Sequence, residues 1–278
     1  MIALGKFELS VHNHGFLGLD GGAMFGSVPK SIWAGLIAPD GDNRIRLATR
    51  SLLVRADDRL IMVDAGNGDK WTDKFRRIYT IEGPGPDEPV LDAAAVTDIV
   101  ITHMHFDHVG GLSRFAADDS KEVELCYPGA RVFVQADNLE TARHPSLRER
   151  GSYLKEDILA VERSRLEMTR GSQKIIPGIR VHHSNGHTRG LQWVEVTDGG
   201  RTAAYPSDMI PTARHLPLPY LMGYDMCAET LLAEKEDFLR RAVEGDWLVV
   251  FEHDPDVPAA RLKIDARGHF AVREIVEF

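Results

Sequence analysis

The chain has 278 residues, of which 43% are hydrophobic and 8% aromatic, enough for one large domain or two small ones with a sizeable core. Its 33 basic and 42 acidic residues give a net charge of −9, which disfavours binding to nucleic acid or anionic membranes. No apolar run approaches the roughly 20 residues that span a bilayer, and the N-terminus does not resemble a signal peptide. We therefore expect a cytoplasmic protein that binds neither nucleic acid nor a membrane.

The first third of the chain contains a glycine-rich segment between predicted strands. Residues 15–33 combine glycine with large apolar side chains and show no helical period, which predicts a loop. The loop is either buried, or it places Phe25 or Trp33 against a substrate pocket or in a homodimer interface. Strands are predicted on either side of it over Phe7–Val11, Leu47–Arg55 and Arg59–Val63, the last two forming a hairpin.

Residues 101–111 concentrate potential metal ligands in one short run, I-T-H-M-H-F-D-H-V-G-G. The four candidate side chains are His103, His105, Asp107 and His108, and imidazole and carboxylate are common ligands of zinc and similar ions. The apolar, β-branched run 96–102 predicts a buried strand before them, and Gly110–Gly111 permits a turn before a short helix near Leu112. The first two histidines can point the same way, while the next aspartate and histidine can face a second point nearby. One strand end can therefore serve two neighbouring metals.

The rest of the chain alternates predicted strands and helices. Segment 70–92 is predicted to be an insertion, which is either a solvated loop or part of a pocket rim. Helices are predicted over Pro89–Ala95, Ala136–Arg143, Ser152–Ser164 and Cys227–Glu244. Strands are predicted over Ala130–Gln135, Gly178–His183, Leu191–Val196, Arg201–Pro206, Trp247–Glu252, Arg261–Asp265 and His269–Val276.

The run from His103 to His108 resembles the His-x-His-x-Asp-His signature of the metallo-β-lactamase superfamily. The resemblance spans most of the chain, because further residues of the expected type follow in the family's order. The glycine-rich segment is also similar to one in the lactonase-like and organophosphate-hydrolase-like branch. The resemblance implies one α/β domain over residues 1–278, folded as a four-layer αββα sandwich with metals at one edge between the sheets.

Later ligands are carried over from the resemblance. His187, next to a glycine at a predicted strand end, matches the family's next ligand, with His182 and His183 as less favoured alternatives. Asp208 stands at the place of a bridging aspartate, and His253 matches the last ligand. Asp64 matches an aspartate that accepts a hydrogen bond from a ligand imidazole, although it could also be an aspartate in a tight turn.

The resemblance implies a centre of two divalent ions, with zinc the first choice and iron or manganese the alternatives. The first ion would be held by His103, His105 and His187, and the second by Asp107, His108 and His253, with Asp208 bridging. A hydroxide shared by the two ions would be the nucleophile. The aspartate of the second set would carry a proton to the leaving group.

The implied activity is hydrolysis of a small carboxylic ester or lactone. Phosphotriester or phosphoester hydrolysis and thioester hydrolysis of the glyoxalase II type are the alternatives. Met209, Ile210 and Pro211 follow Asp208 where acyl-homoserine lactonases typically carry a tyrosine, which disfavours the usual lactonase site. Non-hydrolytic di-iron members of the superfamily place an acidic residue where His105 stands, which disfavours that class.

Overall fold

The computed structural model describes residues 1–84, 88, 90–117 and 122–278. Part of the predicted insertion and the start of the helix predicted from Pro89 lie outside the described residues. Within them, the chain forms two seven-stranded sheets and a separate two-stranded hairpin.

The strands of the first large sheet and of the hairpin all precede those of the second large sheet in the chain. The first group contains β1 (Ile2–Leu4), β2 (Phe7–Asp20), β3 (Arg44–Ala56), β4 (Arg59–Val63), β5 (Asp98–Val100), β6 (Ser113–Phe115), β7 (Val123–Leu125), β8 (Arg131–Gln135) and β9 (Arg165–Thr169). The second group contains β10 (Gln173–Ile176), β11 (Ile179–Ser184), β12 (Leu191–Asp198), β13 (Arg201–Tyr205), β14 (Leu248–Val250), β15 (Ala259–Ile264) and β16 (Phe270–Val276).

Helices lie outside the sheets and in the connections. They are α1 (Gly21–Phe25), α2 (Lys30–Trp33), α3 (Asp73–Ile78), α4 (Phe106–Val109), α5 (Ala136–Arg143), α6 (Lys155–Arg163) and α7 (Ala228–Glu244). Among the described helices, none is long and apolar enough to cross a membrane.

Three apolar clusters account for the layered architecture. The first is built from inward-facing residues of both large sheets, for example Leu52 of β3 and Val194 of β12. The second joins the outer face of the first sheet to α5 and α6, and the third joins the outer face of the second sheet to α7. The order of layers is therefore helix, sheet, sheet, helix, which confirms the predicted αββα sandwich.

Each large sheet contains a pair of neighbouring parallel strands, and candidate ligands follow both strands at the same edge of the sheet. In the first sheet, β4 runs parallel to β5, and in the second, β13 runs parallel to β14. The carboxyl ends of parallel strands meet at one edge of a sheet. Asp64 follows β4 and the residues from His103 onwards follow β5, while Asp208 and His253 follow β13 and β14.

The glycine-rich segment is not the loop that its composition predicted. Strand β2 continues through Gly15 to Asp20, after a register shift between Asn13 and Phe16, and two short helices follow. The first six residues of the segment, 15–20, are thus extended, and helices of five and four residues are too short to show a helical period. The short helix predicted near Leu112 lies earlier in the chain. It is α4, which begins at Phe106, before the two glycines, and a 3₁₀ turn over Gly110–Leu112 follows it.

Candidate metal centre

The first cluster of candidate ligands forms where the residues after β5 meet the loop after β11. His103, His105 and His187 turn ring nitrogens towards one another, and Asp208 joins them. The Nε2 atoms of His103 and His187 lie 3.0 and 3.2 Å from Nδ1 of His105. One oxygen of Asp208 lies 3.1 Å from Nε2 of His187. The four buried side chains therefore offer three imidazole nitrogens and a carboxylate around a single point.

A second cluster lies beside the first and consists of Asp107, His108 and His253. The two oxygens of Asp107 lie 3.8 Å from Nε2 of His108 and 3.7 Å from Nε2 of His253. Asp208 also reaches this cluster, with Oδ1 3.1 Å from Nε2 of His253 and Oδ2 3.5 Å from Nε2 of His108. Asp208 thus stands between the clusters, in the position predicted for a bridging carboxylate.

The atoms in these clusters fit divalent cations. Two imidazole nitrogens bound to one tetrahedral zinc at about 2.0–2.1 Å lie roughly 3.3 Å apart, close to the nitrogen separations in the first cluster. Among the described residues, Nε2 of His108 and Oδ1 of Asp208 are buried without a hydrogen-bond partner. A buried polar atom without a partner is costly, and a bound cation would satisfy both atoms.

Asp64 lies beneath the second cluster and is fully buried. Its Oδ2 lies 3.0 Å from Nδ1 of His108 and accepts a hydrogen bond of 2.7 Å from the hydroxyl of Thr102. Its Oδ1 accepts a second bond of 2.7 Å from the Thr102 backbone N–H. A second carboxylate, Glu252, lies 2.9 Å from the same ring nitrogen of His108. These contacts hold Nδ1 as the protonated nitrogen and leave Nε2 free to face the cluster.

The later histidines are oriented in the same way by different acceptors. Nδ1 of His187 lies 2.9 Å from Oδ1 of Asp225, and Nδ1 of His253 lies 2.7 Å from the carbonyl oxygen of Ala48. A hydrogen bond from one ring nitrogen fixes the tautomer and makes the other nitrogen the ligand. Each ring therefore presents Nε2 to its cluster.

One buried amide ties the two loops of the first cluster together. Asn138, at the start of α5, accepts a hydrogen bond of 2.8 Å from the backbone N–H of Met104, between the first two histidines. Its Nδ2 donates a bond of 2.8 Å to the carbonyl oxygen of Arg189. The side chain is fully buried, so it fixes the distance between the two loops.

Burial and neighbouring charges shift the pKa values of the side chains in the centre in opposite directions. Burial and the neighbouring imidazoles hold the pKa of His103 and His105 well below its usual value. Burial also acts to lower the pKa of His187 and His253, but Asp208 and further carboxylates outweigh it and raise these values to about 10 and about 9. Burial acts to raise the pKa of Asp208, yet the imidazoles around it hold that pKa well below its usual value. A divalent cation would take the place of the histidine protons, since a ligand imidazole must be neutral.

A cavity of about 260 Å³ opens onto both clusters and has two unlike walls. The apolar wall is formed by Leu19, Met24, Phe106 and Met222. The polar wall comes from the connection between α5 and α6 and is formed by Arg148, Glu149 and Ser152, while Tyr79 and Tyr224 also line the cavity. Apolar walls with a few placed polar groups are typical of small-molecule sites.

Residues 44–253 match the family described as the metallo-beta-lactamase superfamily. The chain belongs to this superfamily. This match confirms the resemblance that was predicted from the sequence. The protein is a metal-dependent hydrolase of this superfamily, with a His/Asp site that can bind metal.

Several relatives of this superfamily chain carry hydrolase names. A probable metallo-hydrolase of Mycobacterium bovis is 29% identical over 254 residues, which cover 77% of this chain and 76% of the relative. A probable metal-dependent hydrolase from Staphylococcus aureus superposes with a TM-score of 0.86 at 24% identity, covering 99% of this chain and 100% of the other. AidC, a dizinc quorum-quenching lactonase solved with a product, superposes with a TM-score of 0.76 at 19% identity, covering 100% and 97%. The two structural likenesses show a shared fold.

Two aromatic residues predicted to wall the pocket of this superfamily member do not line it. Phe25 and Trp33 are both buried, stack on each other with ring centres 5.8 Å apart, and belong to an apolar core. Neighbouring residues on a helix point about 100° apart, so the turn at α1 directs Met24 into the cavity and Phe25 away from it. The same burial excludes both rings from a dimer surface.

The alternative histidines also lie outside the two clusters. His182 stacks on Trp193 with ring centres 3.8 Å apart, and its Nε2 lies 3.0 Å from Glu195. Nε2 of His183 lies 3.7 Å from a carboxylate oxygen of Asp137. Of the three candidate histidines near this strand end, His187 is therefore the one that lies in a cluster.

Several residues around the superfamily site were not predicted from the sequence. Glu252 stands next to His253, and this adjacency was a usable signal. Asp225 and Asn138 lie far along the chain from their partners, and the sequence carries no pattern that pairs them. Glu149 lies on a connection between two predicted helices, where neither periodicity nor a motif distinguishes it.

Proposed function

We propose that this superfamily member is a dinuclear metal-dependent hydrolase that acts on a small carboxylic ester or lactone. The observation that carries the proposal is the position of Asp208, whose two oxygens lie 3.1 Å from Nε2 of His187 and 3.1 Å from Nε2 of His253. A carboxylate shared by two ligand clusters can bridge two cations through its two oxygens. Zinc is the first choice for a site of imidazole and carboxylate ligands, with iron or manganese as alternatives.

The two proposed metal sets divide the seven side chains. His103, His105 and His187 would hold one ion, while Asp107, His108 and His253 would hold the other. Two divalent ions held in this way would supply an activated water and polarise the scissile carbonyl. Every other part of the proposed reaction falls to side chains of the chain itself.

Asp107 is proposed to move a proton as well as to bind a cation. It lines the cavity, and only 7% of its surface is exposed. A carboxylate at the cavity wall can receive the proton of the attacking water and deliver it to the leaving oxygen.

Two phenols are proposed to orient the substrate carbonyl. Tyr79 and Tyr224 line the same cavity as Asp107. Burial raises the pKa of both phenols, that of Tyr224 to about 12, and Asp107 raises them further. Both therefore stay protonated at neutral pH, so each can donate a hydrogen bond to a carbonyl oxygen. They would supply the donor that the apolar residues following Asp208 cannot provide.

The unlike walls of the cavity support an ester or lactone with an apolar substituent. Leu19, Met24 and Met222 offer apolar contact, and such a surface favours an acyl or alkyl group over a charged one. AidC, whose fold this chain shares, is described as a lactonase bound to N-hexanoyl-L-homoserine, which also combines an apolar chain with a reacting carboxyl group.

The proposal is tested by metal analysis followed by a substrate panel. Protein purified under metal-replete conditions should contain two divalent ions per chain. The metal-loaded protein is then assayed with lactones, aryl esters, thioesters and organophosphates of matched size. We expect the highest kcat/KM for a lactone or ester, and His103→Ala should lose the first ion and most activity. Higher kcat/KM for thioesters or organophosphates, or less than half an equivalent of metal, would contradict the proposal.

A further inference from the structure

The polar wall of the cavity contains a carboxylate that belongs to neither metal cluster. Glu149 lies in the connection between α5 and α6 and lines the cavity together with His105 and His187. Only 9% of its surface is exposed. A buried acidic side chain needs partners to offset the cost of losing water, so the contacts of its two oxygens show what it can still bind.

One oxygen of Glu149 is held by two hydroxyls. Oε2 lies 2.9 Å from the hydroxyl of Thr188 and 3.2 Å from that of Tyr153, and these two hydroxyls lie 2.8 Å apart. Both contacts connect Glu149 to the first cluster. Thr188 follows His187 directly, and the Tyr153 ring lies 4.9 Å from the ring of His105. The carboxylate is therefore fixed in orientation close to the place where a substrate would react.

The other oxygen of Glu149, Oε1, is left as an acceptor on a residue that lines the cavity. Within the described part of the chain, all hydrogen bonds of the carboxylate fall on Oε2. A carboxylate only accepts hydrogen bonds, so Oε1 can pair with an N–H or O–H group of a bound molecule. The neighbouring guanidinium of Arg148 donates to the carbonyl oxygen of Gly223, another residue that lines the cavity, and among the described residues it forms no ion pair with Glu149.

We propose that Glu149 determines specificity by accepting a hydrogen bond from a neutral N–H donor, such as a secondary amide, placed beside the scissile ester or lactone. This inference rests on the proposed function. The group attached to the N–H would lie against the apolar wall that includes Met24 and Met222. An ammonium group is disfavoured because bound divalent cations would repel it. A substrate without the donor would leave a buried acceptor unpaired, which weakens binding.

The experiment uses metal-loaded protein and three probes that are not hydrolysed. They are N-hexanoyl-homoserine, the matched ketone in which CH₂ replaces the amide N–H, and homoserine with its free amine. Dissociation constants are measured by isothermal titration calorimetry for the wild type, for Glu149→Gln and for a matched control, Glu244→Gln. Glu244 is exposed at the far end of α7. The glutamine at 149 keeps an oxygen for the two hydroxyls and presents an NH₂ donor in place of the free acceptor.

We expect the wild type and Glu244→Gln to bind the amide about tenfold or more tightly than the ketone, because a hydrogen bond to a charged group is lost. In Glu149→Gln this preference should fall to near unity, with metal content and Tm unchanged. Equal binding of the amide and the ketone by the wild type would overturn the inference, even if Glu149→Gln failed to fold. The inference would also be overturned if the wild type bound neither the amide nor the ketone. Tighter binding of the free amine than of the amide would overturn the assignment of a neutral donor.

An equal loss of affinity for amide and ketone in Glu149→Gln would also overturn the inference, since it would make Glu149 a positioning residue for Thr188 and Tyr153. Failure of the proposed function is distinguishable from these results. In that case the wild type hydrolyses neither lactones nor esters, whereas failure of the Glu149 inference leaves that hydrolysis intact and removes only the preference for the N–H donor.

Discussion

The carboxylate of Asp225 lies 2.9 Å from Nδ1 of His187, although 38 residues separate them along the chain. The other oxygen of Asp225 accepts a hydrogen bond of 2.7 Å from the backbone N–H of Met222, a residue of the apolar cavity wall. One side chain thus sets both the orientation of a ligand and the position of the wall. A conservative substitution at Asp225 should therefore lower the affinity for metal more than it disturbs the fold.

Asp225→Asn is expected to lower the affinity for the first metal by about 10–100-fold. The amide keeps the size of the side chain but no longer raises the basicity of the His187 ring. The measurement is competition for zinc with a chelator of known affinity. Asp237→Asn is the control, because Asp237 is an exposed residue of α7 whose carboxylate lies 3.6 Å from Arg241. Equal zinc retention by the two variants would show that the Asp225 contact does not tune the metal.

Asp64→Asn is expected to weaken binding of the second metal while leaving the fold intact. Asp64 adopts a left-handed backbone conformation with φ of 60°, which asparagine tolerates well. The asparagine oxygen can still accept the Thr102 backbone N–H, whereas the negative charge beside His108 is lost. The expected loss is about 10–100-fold in metal affinity, measured by the same chelator competition. If the variant retained both ions as tightly as the wild type, Asp64 would be an aspartate in a tight turn with no effect on the metal.

The sequence predicted those parts of the site that depend on short stretches of chain. His103, His105, Asp107 and His108 follow one strand, so their proximity is set by local backbone geometry. Several of the longer strands and helices were also predicted because their apolar periods extend over several residues, and α5 was predicted with its observed bounds, Ala136–Arg143. The longest strand, β2, was predicted only over Phe7–Val11. The family's order of ligands added the three residues that periodicity alone could not connect.

Contacts between distant loops could not be predicted, because no local pattern encodes them. Asn138 joins Met104 to Arg189 only after α5 has packed against the first sheet. The prediction that Phe25 or Trp33 lines the cavity was wrong for a different reason. The composition of residues 15–33 predicted apolar contact at the site, but one turn of helix decides whether Met24 or Phe25 faces the cavity. That rotation depends on tertiary packing and is not a property of composition.

Lys235 is expected to make the stability of the protein depend on pH above neutrality. Its ammonium group lies on α7 inside the protein and donates hydrogen bonds of 2.9 and 2.8 Å to the carbonyl oxygens of Pro217 and Tyr220. Burial lowers the pKa of Lys235 to about 7, although Asp225 acts to raise it. The unfolded chain, with the ordinary lysine value of 10.5, holds more protons than the folded chain between pH 7 and 10.5. The free energy of unfolding should therefore rise with pH across this window.

The size of the Lys235 effect is at most about 1.4 kcal/mol per pH unit, the value for one proton. It is measured by urea denaturation at pH 7, 8 and 9 for the wild type and for Lys235→Met. The difference between the two proteins isolates the lysine, because the other titrating groups are common to both. The wild type should gain stability relative to the variant as pH rises. A difference that stays constant, or that changes in the opposite direction, would show that Lys235 keeps an ordinary pKa in the folded protein.

Trp33 and Met24 should respond differently to truncation, because one belongs to the core and the other to the cavity. Trp33→Ala is expected to lower the free energy of unfolding by about 3–5 kcal/mol, the usual cost of removing a buried tryptophan. Its ring fills the space against Gly21, where an added Cβ would meet it at 2.4 Å. The ring does not line the cavity, so KM should change equally for substrates with long and short acyl chains.

Met24→Ala should show the reverse pattern, because its side chain lines the cavity beside Leu19 and Met222. Lost apolar contact with a bound acyl group raises KM before it lowers kcat, and a longer chain makes more of that contact. The expected result is a KM that rises several-fold more for a hexanoyl or longer ester than for an acetyl ester, with metal content unchanged. Steady-state kinetics of both variants with a series of esters of increasing chain length provides the measurement. A length-dependent rise in KM for Trp33→Ala and not for Met24→Ala would place the acyl chain against the other face of α1 and contradict the cavity described here.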